Sequence, residues 1–349
     1  MDRELAEAYA AAHRFPALGE RLSLRLLSGG HIHRTYLAET DAGERFILQR
    51  VNREVFPRPE ANLANLDALR AFLDSRADGL YLPRYLPDRE GSRLSGGGTG
   101  GCWRLCGYAE HSRSLPRAEN PEQLFQAALA FGRFLHAFRD FPAVTLTEAT
   151  PRFHDTPDRY RLLREAAEAD PVGRLPGMRA ELDFVRAREE RAGELTAALR
   201  GGKLPPRVIH GDTHFSNVLF CEKGDAALCV IDFDTVMPGL SAWDFGDLVR
   251  SCAAVEEEGN ARFSPERYRV LLRGFWEGCP KLSREERDAL PLGAWTMTLE
   301  SGVRYLTDYL SGDRVFRAWE PEQNLHRARR QLSLLASMER QWDEMCGEA

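Results

Sequence analysis

The 349-residue chain has almost no lysine. Of its 47 basic residues only Lys203, Lys223 and Lys281 are lysines, so 44 are arginines and the first 202 residues contain no lysine at all. Any chemistry that needs an N-terminal lysine is thereby excluded. A basic excess is missing too: 53 acidic residues outnumber the basic ones and the formal charge is -6, the opposite of the balance in proteins that track a phosphate backbone. No nucleic-acid partner is expected. No window approaches the roughly 20 apolar residues of a bilayer span, and Met1-Asp2-Arg3-Glu4 begins no apolar leader, so the expectation is a cytoplasmic protein with no membrane partner. The seven cysteines are odd in number and scattered, without a CxxC pair. Cys102 and Cys106 lack partners of similar spacing, so buried, reduced thiols are expected in place of a metal site or disulfides.

With 43% hydrophobic and 29% charged residues the composition is that of a globular protein of two domains or two lobes. After a short polar helix at about 2–14, alternation over 22–27, 35–39 and 45–51 predicts three antiparallel strands, with Ser28-Gly29-Gly30 at the first turn and Asp41-Ala42-Gly43 at the second. From Pro59, Leu63, Leu66, Leu69 and Leu73 recur at helical spacing, and 80–107 reads as two strands joined by the glycine run 96–101. That run has no following helix, so it is a hairpin tip and not a phosphate loop of the Walker type. Beyond Tyr108 helices dominate, at 121–139, 157–169, 178–200, 264–277, 284–310 and 321–345, with short apolar strands at 207–210 and 227–231. The predicted fold is α+β and bilobal: an N-terminal lobe over 1–107 built on a small antiparallel sheet, and a larger, mostly helical C-terminal lobe over 108–349.

The chemistry concentrates in His210-Gly211-Asp212-Thr213-His214-Phe215-Ser216-Asn217 and in Ile231-Asp232-Phe233-Asp234, each following an apolar strand. Carboxylates and an amide carried on two such loops can converge at one mouth, an arrangement suited to magnesium-assisted phosphoryl transfer, in which one Asp aims a hydroxyl and oxygen ligands hold the metal. Two Asp- and Asn-rich capped turns would be the alternative.

These motifs resemble the aminoglycoside phosphotransferase and choline kinase family, whose fold is protein-kinase-like. A narrower resemblance, to N-acetylhexosamine 1-kinases, rests on the blocks 30–36, 48–52, Phe153-His154-Asp155-Thr156, 232–239 and 304–309. The resemblance implies ATP as co-substrate and Mg2+ as cofactor, with Asp212 taking the acceptor's proton, Asn217 and Asp232 ligating the metal, and Asp234 as a second metal ligand or a turn cap. His210 and Asp244 would be structural supports, and His214 stands where a protein kinase has a lysine. Gly29 and Gly30 would close over the phosphates, and main chain near Tyr108 to Glu110 would meet the adenine.

On the third strand only one of Gln49 and Arg50 can face the cleft. Arg50, paired with Glu60, is the candidate cation for the nucleotide phosphates, because no lysine is available there. His31, His154, His214, Arg304 and Asp308 are candidates for the acceptor site, and Val315 stands where an N-acetylhexosamine kinase would carry an aromatic. The function implied is transfer of the γ-phosphoryl group to a hydroxyl, the anomeric hydroxyl of an N-acetylhexosamine or related sugar. The alternatives are an aminoglycoside- or choline-like acceptor, or a pseudokinase-like module that holds nucleotide without turnover.

Overall fold

A computed structural model describes residues 3–27, 32–76, 79–96, 101–257 and 260–348. The alternating stretches pair as their periodicity requires. β1 (Leu22–Leu26), β2 (Arg34–Thr40) and β3 (Arg45–Val51) form an antiparallel meander, extended by β5 (Cys102–Gly107) and a two-residue β4 (Tyr85–Leu86) in the order β1-β2-β3-β5-β4. Ser95 and Trp103 exchange backbone hydrogen bonds, so the glycine run is bracketed as a hairpin, its tip at 97–100 lying outside the described residues.

The register decides what each face carries. Tyr36 lies opposite Leu48 and Leu48 opposite Leu105, and α1 (Arg3–Ala12) covers this face with Ala8, Ala11 and Ala12. On the reverse face Thr35, Gln49 and Arg104 lie side by side. α2 (Pro59–Asp74) starts with proline at its first helical position. Its Leu66, Leu69 and Leu73 join the core of the larger helical part and not the cluster under α1.

That larger part has two cores. α3 (Pro121–Ala137), α8 (Ser241–Cys252) and α9 (Pro265–Gly278) surround short strands, β6 (Ser112–Ser114) pairing β8 (Val218–Cys221), which pairs β9 (Ala227–Val230), and β7 (Arg207–Ile209) pairing β10 (Met237–Gly239). α4 (Thr156–Ala169), α11 (Leu290–Leu310) and α12 (Gln323–Arg340) enclose the second. The expected helix over 178–200 is three short ones, α5 (Arg179–Arg186), α6 (Glu189–Ala192) and α7 (Glu194–Arg200). The helices expected at 284–310 and 321–345 are likewise divided, by α10 (Arg284–Asp288) before α11 and α13 (Trp342–Glu348) after α12. A hairpin of β11 (Ala254–Glu257) and β12 (Asn260–Phe263) was not signalled by alternation. Among the described residues no helix is long and apolar enough to cross a membrane.

α8 and α11 cross with almost nothing between their backbones. A Cβ on Gly293 would stand 2.0 Å from the Ala242 carbonyl oxygen, and one on Gly246 would stand 2.2 Å from that of Gly293. Glycine at both positions lets α8 bring Asp244 and Asp247 close beneath the loop after β7.

Candidate active site

β7 runs into the loop 210–217 and β9 into the loop 231–236. Because β7 pairs with β10 and β8 with β9, both loops emerge at one end of these strands. They are tied together by the Ile231 N–H donating to the Asn217 carbonyl at 2.8 Å and by the Thr235 hydroxyl donating to the His210 carbonyl at 2.8 Å. Gly211, at φ 77°, lies so close to Thr235 that a Cβ would be 2.5 Å from its carbonyl oxygen. Only glycine meets both conditions without strain.

Asp212 is partly exposed at the mouth. The Asn217 amide donates at 3.0 Å to the Asp212 carboxylate and at 3.0 Å to its carbonyl, which fixes the side chain. Desolvation and then the nearby Asp247 raise the Asp212 pKa, against the opposing pull of His214, Arg250 and Asn217. A carboxylate with raised basicity and a fixed direction can accept a hydroxyl proton.

Asp232 adopts a left-handed conformation, φ 69° and ψ 66°, with its side chain exposed. Desolvation, then Asp234 and Asp212, push its pKa up. No protein donor bonds its carboxylate among the described residues. Asp234 is the opposite case. Arg104 grips both its oxygens, at 2.6 and 2.5 Å, and His33 Nε2 donates to one of them at 2.7 Å. Burial alone would raise Asp234, but these two partners hold it well below the usual carboxylate range. Both oxygens of Asp234 are thus engaged by donors from the N-terminal part, which makes it the ion-pair partner of Arg104 and His33.

A divalent cation fits the remaining donors. Asp232 offers an unshared carboxylate in a crowd of negative charge, and the Asn217 amide, donating to Asp212, leaves its own oxygen for a ligand. Among the described residues no group of three His, Cys, Asp or Glu side chains could hold an ion alone. An oxygen-loving ion such as Mg2+ commonly takes one or two carboxylates and completes its shell with phosphate and water.

His210 and Asp244 support the loop from below. Asp244 accepts the N–H groups of His210 and Gly211, each at 2.8 Å, and burial pushes its pKa up to about 7 against those bonds. His210 is fully buried, its Nε2 donating to the Ile231 carbonyl at 3.0 Å and its Nδ1 accepting from Asp212 N–H at 3.3 Å. This uses the neutral ring, and burial lowers its pKa from 6.5 to about 4. The folded state therefore rejects a proton that the unfolded chain accepts below pH 6.5. Stability from this group is complete above that pH and is lost as pH falls through 4, by about 3 kcal/mol. The raised pKa of Asp244 works with the opposite sign over the same range, so the check is a difference: in denaturant unfolding from pH 7 to 4 the wild type should lose about 3 kcal/mol relative to His210→Gln, which is the less stable protein at pH 7.

The other expected site residues are distributed as follows. Gly29, Gly30 and His31 lie outside the described residues. Arg50 lies on the α1 face, opposite Trp103, and reaches Glu7 at 3.6 Å, while Glu60 pairs with Arg53 at 2.6 Å. The expected Arg50–Glu60 pair is therefore not formed, because strand alternation turns Gln49, and not Arg50, to the cleft. Arg45 stacks on Tyr108 at 4.6 Å and pairs with Glu110. His154 is buried, with Nδ1 bonded to Glu300 at 3.0 Å and Nε2 to the Gly211 carbonyl at 2.8 Å, so it ties α11 to the catalytic loop. His214 Nδ1 bonds the Ser216 hydroxyl at 3.0 Å.

Arg304 lies over the rings of Phe153, at 4.7 Å, and Phe316, at 5.4 Å. Asp308 does not join Arg304: its oxygens accept from the N–H groups of Arg314, Val315 and Phe316 and from Asn324, holding the loop after α11. Sequence reasoning missed Arg104, His33, Asn62 and the Asp247–Arg250 pair, which adjoins Asp212. The WDFGD block signalled only Asp244.

A model of the APH phosphotransferase enzyme family matches residues 23–271, a span that takes in the N-terminal sheet and both site loops. Among similar solved structures is a microcompartment-associated aminopropanol kinase, 18% identical, covering 98% of each chain with a TM-score of 0.62. Amicoumacin kinase, solved with AMP-PNP and Ca2+, is 16% identical over 95% of this chain and 93% of its own, TM-score 0.60. Choline kinase from Cryptosporidium parvum Iowa II is 14% identical over 98% and 97%, TM-score 0.57. At these identities the likeness is one of fold, and it extends over both parts of the molecule.

Proposed function

The chain belongs to the APH family of phosphotransferase enzymes, and on that premise we propose that it is an ATP- and Mg2+-dependent kinase of a small hydroxyl compound. The observation that carries this reading is the pairing of Asp212, basic and held by Asn217, with Asp232, a carboxylate free for a cation. Residues 1–107 serve as the nucleotide lobe and 108–349 as the catalytic and acceptor lobe, in a cytoplasmic enzyme. Asn217 and Asp232 hold the ion, which when bound neutralises charge on the transferring phosphate. Asp212 aims the acceptor hydroxyl in line and takes its proton, with no covalent enzyme intermediate. Arg45 engages the side chains of Tyr108 and Glu110, and since the Tyr108 N–H donates to the Arg45 carbonyl and the Ala109 carbonyl accepts from Ser112, adenine would meet the remaining main-chain groups of 108–110.

The acceptor is an N-acetylhexosamine or related sugar, phosphorylated at its anomeric hydroxyl. Arg304 and the aromatic rings of Phe153, Tyr305 and Phe316 cluster together, a cationic and aromatic surface suited to a sugar. Phe316, next to Val315, supplies an aromatic at that point. ADP release with reducing sugars, N-acetylhexosamines, aminoglycosides, amino alcohols and choline tests this. Turnover is expected with an N-acetylhexosamine, with Arg304→Ala raising its KM by about tenfold, the worth of one charge-assisted hydrogen bond. Turnover confined to the cationic acceptors would replace the sugar, and no turnover with intact nucleotide binding would leave a binding module.

A further inference from the structure

The proposed metal ligand Asp232 sits in a backbone conformation that a non-glycine residue holds only when its surroundings impose it. Its N-terminal flank is fixed within the larger part: His210 bonds the Ile231 carbonyl and Ile231 N–H bonds Asn217. The C-terminal flank is held from both parts: within the larger part the Thr235 hydroxyl bonds the His210 carbonyl, and further side-chain bonds come from the N-terminal part. Asn62 of α2 donates to the Phe233 carbonyl at 2.7 Å, and Asn65 donates to that of Val236 at 3.2 Å. Between them Arg104 of β5 meets Asp234 with two parallel hydrogen bonds, itself oriented by Gln49 at 3.0 Å, and His33 closes the second Asp234 oxygen. Arg104 and Asp234 are only 2% and 3% exposed, so the pair is shielded from water and salt.

A buried ion pair is poor evidence for stability, since apolar residues of similar volume often do as well or better. What a fork-to-fork contact adds is direction: it allows one orientation of the carboxylate and so one path for the two residues before it. We propose that Arg104 is the positioning residue of the nucleotide site. By gripping Asp234 from the sheet, it holds Asp232 toward the cleft and makes metal-dependent nucleotide binding depend on contact between the two parts. Arg104 thus supplies from β5 the lobe-crossing cation for which β3 has no lysine. This rests on the reading of Asp232 as metal ligand and adds a residue that no sequence motif marks.

The test uses the full-length protein and measures ADP affinity with Mg2+ and with EDTA, beside thermal melting. In the wild type Mg2+ should tighten ADP binding tenfold or more. Arg104→Met/Asp234→Leu removes both charges together but takes a partner from His33 and from Gln49, so it should fold and melt somewhat below the wild type, bind ADP in EDTA as the wild type does, and gain less than about twofold from Mg2+. Arg104→Lys, which keeps the charge and loses the fork, should lose about tenfold in Mg2+-dependent affinity, one charge-assisted bond. If the double variant does not fold, Arg104→Lys decides alone. A full Mg2+ increment in either variant overturns the positioning role while leaving the kinase reading intact. A wild type whose ADP affinity ignores Mg2+ overturns the metal reading and the positioning role with it.

Discussion

Asp212→Asn should lower kcat by a hundred- to ten-thousandfold, roughly the span a positioned general base contributes, while ADP affinity stays within about twofold. The substitution preserves the shape of the loop. The Asn217 amide donates to the Asp212 carboxylate at 3.0 Å, and the oxygen of an asparagine can accept that same bond. Its NH2 then faces the position of the acceptor hydroxyl and offers a donor where an acceptor is needed. The carboxylate that would accept the proton also disappears, so neither hydroxyl orientation nor proton removal survives. Single-turnover rates and ADP titration on the same preparation separate the two effects. Turnover within tenfold of the wild type would remove Asp212 from the chemistry, and a parallel loss of ADP affinity would show damage to the fold.

The two loops are legible in the sequence because their information is local. A strand, a glycine, an aspartate and an asparagine at fixed offsets fall within eleven residues, and the backbone between them admits few paths. The N-terminal cation was illegible for the converse reason. Strand alternation shows that Gln49 and Arg50 face opposite ways, but which one sees the cleft depends on where α1 packs, and α1 precedes the strand by some thirty residues. Arg104 reads in sequence as one arginine among 44, on a strand flanked by tryptophan and leucine. Its meaning comes from lying beside Gln49 in the sheet and across from Asp234, 130 residues later.

Asp308 shows the same limit from another side. Its spacing from Arg304 suggests a shared helix face, yet the end of α11 needs an acceptor for three loop N–H groups, and Asp308 fills that need. Glu60 was the natural acidic candidate on α2, whereas the helix contacts the loop 231–236 through two amides, Asn62 and Asn65, which satisfy carbonyls without burying a charge.

Asp232→Asn should abolish the Mg2+ dependence of nucleotide affinity and lower kcat by a hundredfold or more, since a bound cation contributes several kcal/mol of charge stabilisation to phosphoryl transfer. Asparagine is the informative replacement. Asp232 sits at φ 69°, where alanine would add strain unrelated to the metal, whereas asparagine tolerates this region about as well as aspartate and keeps the side-chain length. What changes is the charge. In the free protein that charge is a burden, because desolvation and repulsion from Asp234 and Asp212 outweigh the pull of His33 and Arg104, and no donor among the described residues bonds it. The variant should therefore melt at or above the wild-type temperature in EDTA and fall below it once Mg2+ and ADP are present together, because only the wild type gains stability from the pair. A lower melting temperature in EDTA would mean that Asp232 supports the fold. An undiminished Mg2+ effect on ADP binding would place the ion on other oxygens.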